Sequence, residues 1–232
     1  LNSAKKMQEI DEDKLFEESY IRLKNLIHLG TGAIEIKSGY GLNLESELKI
    51  LRVIKKLKDK SPITIKSTFL GAHAVPKEYK NNKKLYLETV INKMLPKIVE
   101  EKLADYIDIF CEIGYFSSDD TIKLLQAGKQ FGLRGKTHVN QFNSIGGVKA
   151  SIDNDALSVD HLETMREEDF KAFKNSDCIA TLLPSCSFFL GIPYSPAQEF
   201  IKRNIPFNLA SDYNPGSSPS GDMNFIASLG SI

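Results

Sequence analysis

Short apolar runs alternate with longer segments of helical periodicity along this chain. The short runs are rich in β-branched and aromatic residues and are bounded by polar or glycine-containing turns, which is typical of buried strands. The pattern predicts seven strands, at residues 32–38, 63–73, 106–112, 135–140, 157–161, 178–185 and 206–212. Apolar residues at helical spacing predict helices near residues 11–29, 45–57, 87–98, 119–131, 146–152, 167–174 and 196–202.

Strict alternation of strands and helices predicts a parallel sheet with right-handed crossovers. A complete (β/α)₈ barrel needs about 250 residues, and this chain has 232. Seven strands preceded by a helix with no strand of its own favour an α/β fold: a (β/α)₈ TIM-type barrel that is incomplete, without its first strand. A doubly wound open sheet is the alternative, but no glycine-rich turn follows the first strand. Residues 1–232 show no linker or internal repeat and are predicted to form one domain.

Charge and composition narrow the classes of partner. Lys and Arg together number 30, as do Asp and Glu, so the formal net charge is zero. This balance gives no electrostatic reason to expect nucleic acid or an anionic membrane as a partner, and no apolar run reaches the length of a bilayer span. Cys111, Cys178 and Cys186 lie in or beside apolar runs. An odd number of buried thiols fits a cytoplasmic protein in a reducing environment.

Polar side chains suited to hydrolytic chemistry stand at the ends of the predicted strands. His73, His138 and His161 each close a strand, and Asp212 closes the last one before the loop YNPGSSPSG. Because active sites of parallel barrels lie at the C-terminal rim, we expect these side chains to meet there. Histidine is the commonest metal ligand, and an aspartate beside a cation can ligate it or accept a proton. Taken singly, each residue also suits a structural role, as a hydrogen-bonded histidine or a turn cap.

Two loops add candidates from the residues alone. Tyr40 lies in KSGYGLN, where Gly39 and Gly41 free the backbone to bring its hydroxyl into the mouth of the barrel, although ordinary loop packing explains it equally well. Gln141 follows His138 by three residues; an amide can orient a substrate but cannot take a proton. The loop GSSPSG is similar to an anion cradle of backbone N–H groups and hydroxyls, but it lacks the ending of a P-loop.

Other polar residues are assigned to structural roles. Side chains alternate along a strand, so if His161 faces the mouth, the preceding Asp160 is expected to face a helix. Glu112 closes the strand at 106–112 and is interpreted as a solvated or ion-paired residue, with a bridging carboxylate as the alternative. His28 lies in a charged helical segment and is expected at the surface.

The candidate residues fall within longer stretches that run in order along nearly the whole chain: KSGYGLN, TFLGAHAVP, DIFCEIGYF, THVNQFNSIGG, ALSVDHLE, ATLLPSCSFFLG and LASDYNPGSSPSGDMNFI. Together they resemble the imidazolonepropionase family of the amidohydrolase superfamily, and the long ASDYNPGSSPSG stretch separates that family from most other amidohydrolases. The family's His-x-His motif at strand one and its small β-sandwich domain have no counterpart here. The resemblance is therefore to a central fragment of the family.

The resemblance implies hydrolysis of the cyclic amide of 4-imidazolone-5-propanoate to N-formimidoyl-L-glutamate in histidine degradation, with one zinc or iron ion. It makes His138 and Asp212 metal ligands and places His161, Asp212 and Gln141 in the catalytic set. The substrate-binding residues that it implies are Tyr40, His73, Gln141, Asn214, Gly216 and Ser217. Some members carry an acidic residue where Gln141 stands; where that acid is the general base, its role would pass here to His161 and Asp212 or be lost.

Two other functions stay open on the sequence. One is another amidohydrolase, such as a ring deaminase, against which the loop after Asp212 argues. The other is a metal-free chain that binds small anions or a partner without turnover, which metal analysis would distinguish. The partner expected for an enzyme is a small-molecule substrate. The strand edge left open where strand one would pair is an association hazard, so we also expect the chain to form a homo-oligomer or to be only marginally stable.

Overall fold

A computed structural model describes residues 2–231, which contain one parallel sheet with all seven predicted strands. The strands are β1 (Ala33–Lys37), β2 (Thr64–Ala72), β3 (Tyr106–Cys111), β4 (Arg134–Val139), β5 (Ser158–His161), β6 (Ile179–Leu182) and β7 (Phe207–Leu209). They lie side by side in chain order, and every neighbouring pair is parallel. This order excludes the doubly wound alternative, in which the strand order reverses near the middle of the sheet.

The connections between strands carry the helices. Within the described residues these are α1 (Asn2–Glu9), α2 (Glu12–His28), α3 (Leu44–Lys60), α4 (Lys83–Thr89), α5 (Leu95–Glu100), α6 (Ser118–Gln130), α7 (Gly147–Asp153), α8 (Glu167–Ala172), α9 (Pro184–Leu190), α10 (Ala197–Lys202) and α11 (Met223–Leu229). Side-chain caps fix several helix starts, because they satisfy N–H groups that have no partner inside the helix. Asp11 caps α2, Asn43 caps α3, and Ser117 forms a capping box with Asp120 at α6. No helix among residues 2–231 combines the length and apolar character needed to cross a membrane.

Helices α1, α9 and α11 were not predicted, and one predicted helix is interrupted. The strand predicted at 178–185 ends at Leu182, and Pro184 begins α9. Proline is favoured at the first helical position because its missing N–H would have no partner there. The helix predicted at 87–98 consists of α4, a π-helical turn at Val90–Met94, and α5. The wide turn lies just before Pro96, which cannot donate the usual helical hydrogen bond.

The sheet is strongly curled, so that its first and last strands approach each other at one end. Lys37 on β1 reaches across the concave face to Asp108 on β3 and Asp160 on β5, at 2.9 and 2.8 Å. Just after β1 and β7, the Asn214 amide donates to the Tyr40 hydroxyl at 2.5 Å. These contacts are those of a barrel interior. The predicted TIM-type α/β class is confirmed, with seven strands among the described residues.

The two faces of the sheet differ in polarity. Apolar side chains such as Ile107, Ile109, Val139 and Val159 are fully buried and belong to two core clusters, one around β1–β3 and one around β4–β6. The concave face instead carries a connected set of polar and charged residues, namely Glu35, Lys37, Thr68, Asp108, Lys136, Ser158 and Asp160. The interior of this barrel is therefore held by ion pairs and hydrogen bonds rather than by aliphatic packing.

A buried tyrosine stabilises an irregularity in β2. The pairing of β2 with β3 shifts register between Phe69 and Ala72, and the Tyr86 hydroxyl donates to the Gly71 carbonyl at 2.8 Å. We expect Tyr86→Phe to lower the free energy of unfolding by about 1–2 kcal/mol, because the buried carbonyl loses its partner. Chemical denaturation checks this, with Tyr79→Phe as the control. A loss no larger than that of the control would show that the hydroxyl contributes nothing.

Candidate functional site

Four aromatic side chains from the ends of four strands meet at the C-terminal rim of the sheet. The centroid of the His138 ring lies 5.2 Å from that of His161 and 6.5 Å from that of His73. The Tyr40 ring stands edge-on to His73 at 5.1 Å. The predicted convergence of these side chains on one site is thus present in the structure.

His138 is held by the carboxylate of Asp108 on the neighbouring strand. The backbone N–H of His138 donates to Asp108 Oδ1 at 3.1 Å, and Nδ1 of its ring lies 2.8 Å from Oδ2. The second contact is oblique to the ring N–H, so buried Nδ1 has no aligned hydrogen-bond partner among the described residues. A ring with one nitrogen turned to a carboxylate presents its other nitrogen to a cation, as metal-bound histidines usually do. Burial acts to raise the pKa of Asp108, but His138 and Lys37 lower it below its ordinary value.

His161 reaches the site through an unusual backbone conformation. Its φ is +85°, and that of Leu162 is +67°, a region that side chains with a Cβ rarely adopt. The turn brings His161 onto the same side of the sheet as Asp160, which bonds to Lys37 at 2.8 Å. The expectation that Asp160 faces a helix is therefore wrong, because the alternation of the strand ends at this residue.

Buried groups surround the His161 ring. Its Nδ1 lies 3.4 Å from Glu163 Oε1, and Cys186 of α9 is in the same cluster. Burial acts to lower the pKa of His161, but Cys186 and Glu163 outweigh it and raise the pKa well above its ordinary value. The Gln141 amide donates to Cys186 Sγ at 3.4 Å, so Gln141 adjoins the cluster that contains His161.

His73 has a defined tautomer. Its Nδ1 lies 3.0 Å from the carbonyl oxygen of Gly39; a carbonyl only accepts, so Nδ1 carries the proton. Burial and neighbouring His138 lower the pKa of His73, so the neutral ring presents Nε2 as an acceptor. Such a ring suits an N–H group of a ligand rather than a carboxylate or carbonyl oxygen.

Asp212 lies beyond β7 with a φ of +48°. Its Oδ2 accepts a hydrogen bond from the Ser217 hydroxyl at 2.7 Å. Burial raises the pKa of Tyr40, and the Asp212 charge adds to the increase. The same charge favours the protonated forms of His73 and His161. The Asp212 carboxylate thus acts to raise the pKa of Tyr40, His73 and His161, as expected for a residue that lies close to all three.

In the loop after Asp212, backbone N–H groups donate hydrogen bonds to Asn214 and are not free to bind an anion. The N–H of Gly216 donates to Asn214 Oδ1 at 2.8 Å. The N–H groups of Ser217 and Ser218 donate to the Asn214 carbonyl at 3.3 and 2.8 Å. The expected anion cradle of free N–H groups is therefore wrong, because the loop uses them itself. Substrate binding by Asn214, Gly216 and Ser217 stays a prediction.

The loop that carries Tyr40 is built around Glu47 of α3. One Glu47 oxygen accepts from the N–H groups of Gly41 and Leu42, at 2.7 and 3.1 Å, and the other from Gly39 at 2.9 Å. Gly39 has a φ of +103°, and a Cβ on Gly41 would lie 2.7 Å from backbone carbon of the next helix. Both glycines are thus required by the path of the loop, as the sequence predicted.

Glu112 has a comparable structural role after β3. It is buried and accepts hydrogen bonds from the backbone N–H groups of Phe142 and Asn143, at 2.9 and 3.1 Å. It thereby fixes the loop that follows His138, rather than standing in solvent. His28, the last residue of α2, is exposed as predicted, and the three cysteines are buried free thiols.

Lys37, Asp108 and Glu163 were not predicted as parts of the site. For Lys37 and Asp108 a signal was present, because a charged residue within an otherwise apolar strand, as in AIEIK and YIDIFC, places charge on one face of the sheet. Glu163 lies in the loop after β5 and has no such signal. Residues 2–231 contain two groups of three ligand-type side chains whose ligand atoms lie within 4.8 Å of one another: Asp108, His138 and Asp160, and His161, Glu163 and Cys186.

The chain was compared with known proteins. Imidazolonepropionase of Flavobacterium johnsoniae is 58% identical over 232 residues, which cover 100% of this chain and 56% of the relative. That of Christiangramia forsetii is 56% identical over the same shares. Over its whole length the chain is similar to imidazolonepropionases, and it spans about half the length of these relatives. No protein-family model matches the chain.

Solved structures agree on the fold. Guanine deaminase from C. acetobutylicum superposes with a TM-score of 0.72 at 15% identity, over 98% of this chain and 56% of the deaminase. An adenosine deaminase from Xanthomonas campestris with bound zinc superposes with a TM-score of 0.64 at 9% identity, over 96% and 51%. At such identities the likeness supports the barrel fold of this chain and not a shared substrate.

Proposed function

We propose that the protein containing this chain hydrolyses the cyclic amide of 4-imidazolone-5-propanoate to N-formimidoyl-L-glutamate, as the name of its relatives indicates. The observation that carries the proposal is the convergence at the rim of His73 and His161 on His138, with ring centroids 6.5 and 5.2 Å from that of His138. A single carboxylate, Asp212, acts on the pKa of His73 and of His161. This combination of imidazoles and a carboxylate suits metal-assisted hydrolysis of an amide.

The site fits a zinc or iron ion. Imidazole and carboxylate donors suit both metals, and His138 has the carboxylate beside Nδ1 that usually orients a metal-bound histidine. His138 and Asp212 are the proposed ligands in this chain. A divalent ion held there supplies an activated water molecule at neutral pH and polarises the amide carbonyl.

The other residues bind and orient the substrate in this proposal. Neutral His73 accepts an N–H of the imidazolone ring through Nε2, and Tyr40, positioned by Asn214, donates its hydroxyl to an oxygen of the substrate. His161, favoured in its protonated form, donates to the carbonyl oxygen as negative charge develops. Asp212 accepts a proton and delivers it to the leaving nitrogen.

Gln141, Gly216 and Ser217 complete the proposed binding set. Gln141 orients the substrate as a hydrogen-bond donor and acceptor beside His161. Three buried thiols fit a reducing compartment, and we propose the cytoplasm. A small-molecule substrate is the expected partner, and association of two or more copies stays a prediction.

The assay follows the loss of imidazolonepropionate and the appearance of N-formimidoyl-L-glutamate with the full natural polypeptide. We expect turnover that falls by at least ~10³-fold after metal removal by a chelator and returns with zinc or iron. Guanine and adenine serve as alternative substrates. Turnover of either in place of imidazolonepropionate, or full activity in protein shown to be metal-free, would overturn the proposal.

A further inference from the structure

A single lysine, Lys37, forms ion pairs with two buried carboxylates that lie on either side of His138. Lys37 Nζ lies 2.9 Å from Asp108 Oδ2 and 2.8 Å from Asp160 Oδ2. Asp108 is fully buried and Asp160 is 5% exposed. Burial acts to lower the pKa of Lys37, but the carboxylates raise it well above its ordinary value. The ammonium is therefore charged and fixed where it lies.

The geometry connects this lysine to the predicted metal ligand. His138 on β4 lies between β3, which carries Asp108, and β5, where Asp160 is its partner in register. Asp108 contacts Nδ1 of the imidazole at 2.8 Å. Two carboxylates this close to each other would repel and move apart if no cation lay between them. Lys37 therefore determines where both carboxylates stand around the ring.

The charge of the cluster favours a further cation. It contains the ammonium groups of Lys37 and Lys136 and the carboxylates of Glu35, Asp108 and Asp160. Three carboxylates against two ammonium groups leave one negative charge unbalanced when His138 is neutral. In a buried site that charge is poorly screened and attracts a positive charge to the far side of the imidazole. Removal of the Lys37 charge alone would strengthen this attraction, so a loss of zinc affinity without Lys37 reports the position of the two carboxylates.

We propose that Lys37 is a positioning residue for His138, which holds Asp108 and Asp160 on either side of the ring and so sets the affinity for the metal without touching metal or substrate. The proposal rests on the proposed function of His138 as a ligand. It assigns to a residue on β1 the task of orienting a ligand on β4.

The test measures zinc affinity by competition with a chromophoric chelator and the visible spectrum of the cobalt-loaded protein, on the full natural polypeptide. Lys37→Met keeps the length of the side chain and removes its charge. We expect its zinc dissociation constant to rise at least ~10-fold, the range measured for groups that orient metal ligands, and the cobalt bands to shift. Lys37→Arg, which keeps the charge, is expected to recover part of the affinity.

Lys58→Met is the matched control. Lys58 Nζ contacts Asp105 Oδ2 at 2.5 Å and Ser67 Oγ at 3.1 Å, before the start of β3 and away from the rim. The same substitution there removes an ion pair and leaves the rim unchanged. We expect a loss of stability with unaltered zinc affinity and cobalt spectrum. An equal loss of affinity in the control would show that Lys37 acts only through general stability.

The outcomes separate this inference from the proposed function. Wild-type protein that binds no zinc or iron overturns both. Wild-type protein that binds metal, with Lys37→Met unchanged in affinity and spectrum, overturns the positioning role alone. If Lys37→Met does not fold, Asp160→Asn takes its place: it removes one carboxylate with little change of shape and is expected to weaken zinc at least ~10-fold. Wild-type affinity in that variant also overturns the positioning role.

Discussion

Replacement of Asp212 by asparagine is expected to lower kcat by at least ~10³-fold, since general acid–base groups and metal ligands each contribute on this scale. The substitution removes the negative charge of the side chain and leaves its size and shape nearly unchanged. Asparagine tolerates the left-handed backbone at φ +48° at least as well as aspartate, and its carbonyl oxygen can still accept the hydrogen bond from Ser217. Steady-state kinetics on imidazolonepropionate, together with metal content per chain, measure the effect.

Asp222→Asn is the control for this experiment. Asp222 caps α11, and asparagine caps a helix as well as aspartate does, so activity and thermal stability are expected to stay near wild type. If Asp212→Asn retains a tenth or more of wild-type kcat with its fold intact, Asp212 must be removed from the proton-transfer and ligand sets. His138→Ala is expected to abolish turnover together with metal binding, which distinguishes loss of the ion from loss of the proton acceptor.

Replacement of Glu47 by glutamine is expected to lower the free energy of unfolding by about 2–3 kcal/mol, although the site lies outside the apolar core. Both carboxylate oxygens accept backbone N–H groups, one from Gly39 and the other from Gly41 and Leu42. Glutamine presents one oxygen and one NH₂ group, so at least one buried N–H faces another donor and is left unpaired. Chemical denaturation measures the loss.

Glu47→Gln also tests how the position of Tyr40 affects substrate binding, because Tyr40 lies in the loop that Glu47 stabilises. We expect KM for the substrate to rise several-fold while kcat falls less, as for a residue that only positions a binding group. Glu45→Gln in the same helix turn is exposed and serves as control, with little change in stability or KM. Unchanged stability in Glu47→Gln would mean that the loop does not depend on the charge of this carboxylate.

The sequence predicted the sheet well because each strand is a short apolar run between helical segments. All seven strands are present within a few residues of their predicted ends. Strict alternation predicted that they are parallel, and the absence of a glycine-rich turn after the first strand favoured the barrel order that is observed. The meeting of His73, His138 and His161 was predictable because the C-terminal ends of parallel strands share one rim.

The parts that were not predicted depend on conformations and partners that a local pattern does not contain. His161 leaves the strand geometry at φ +85°, so alternation gave the wrong side for Asp160. The GSSPSG loop satisfies its own N–H groups through Asn214, which composition alone does not reveal. Lys37 finds carboxylates 71 and 123 residues away along the chain, and such pairings appear only once the sheet has curled.

The polar interior also bears on how the barrel assembles. Glu35 and Lys37 come from β1, Asp108 from β3 and Asp160 from β5, so an intermediate with only some of these strands in place would enclose charge without its counter-charge. Enclosing an uncompensated charge costs several kcal/mol, a penalty that an aliphatic interior would not impose. Partly curled states of the sheet are therefore disfavoured. The contact of Lys37 on β1 with Asp160 on β5, across the concave face, is expected to form together with the other ion pairs of the interior. The residues that prepare the rim for a cation thereby also make closure of the sheet cooperative.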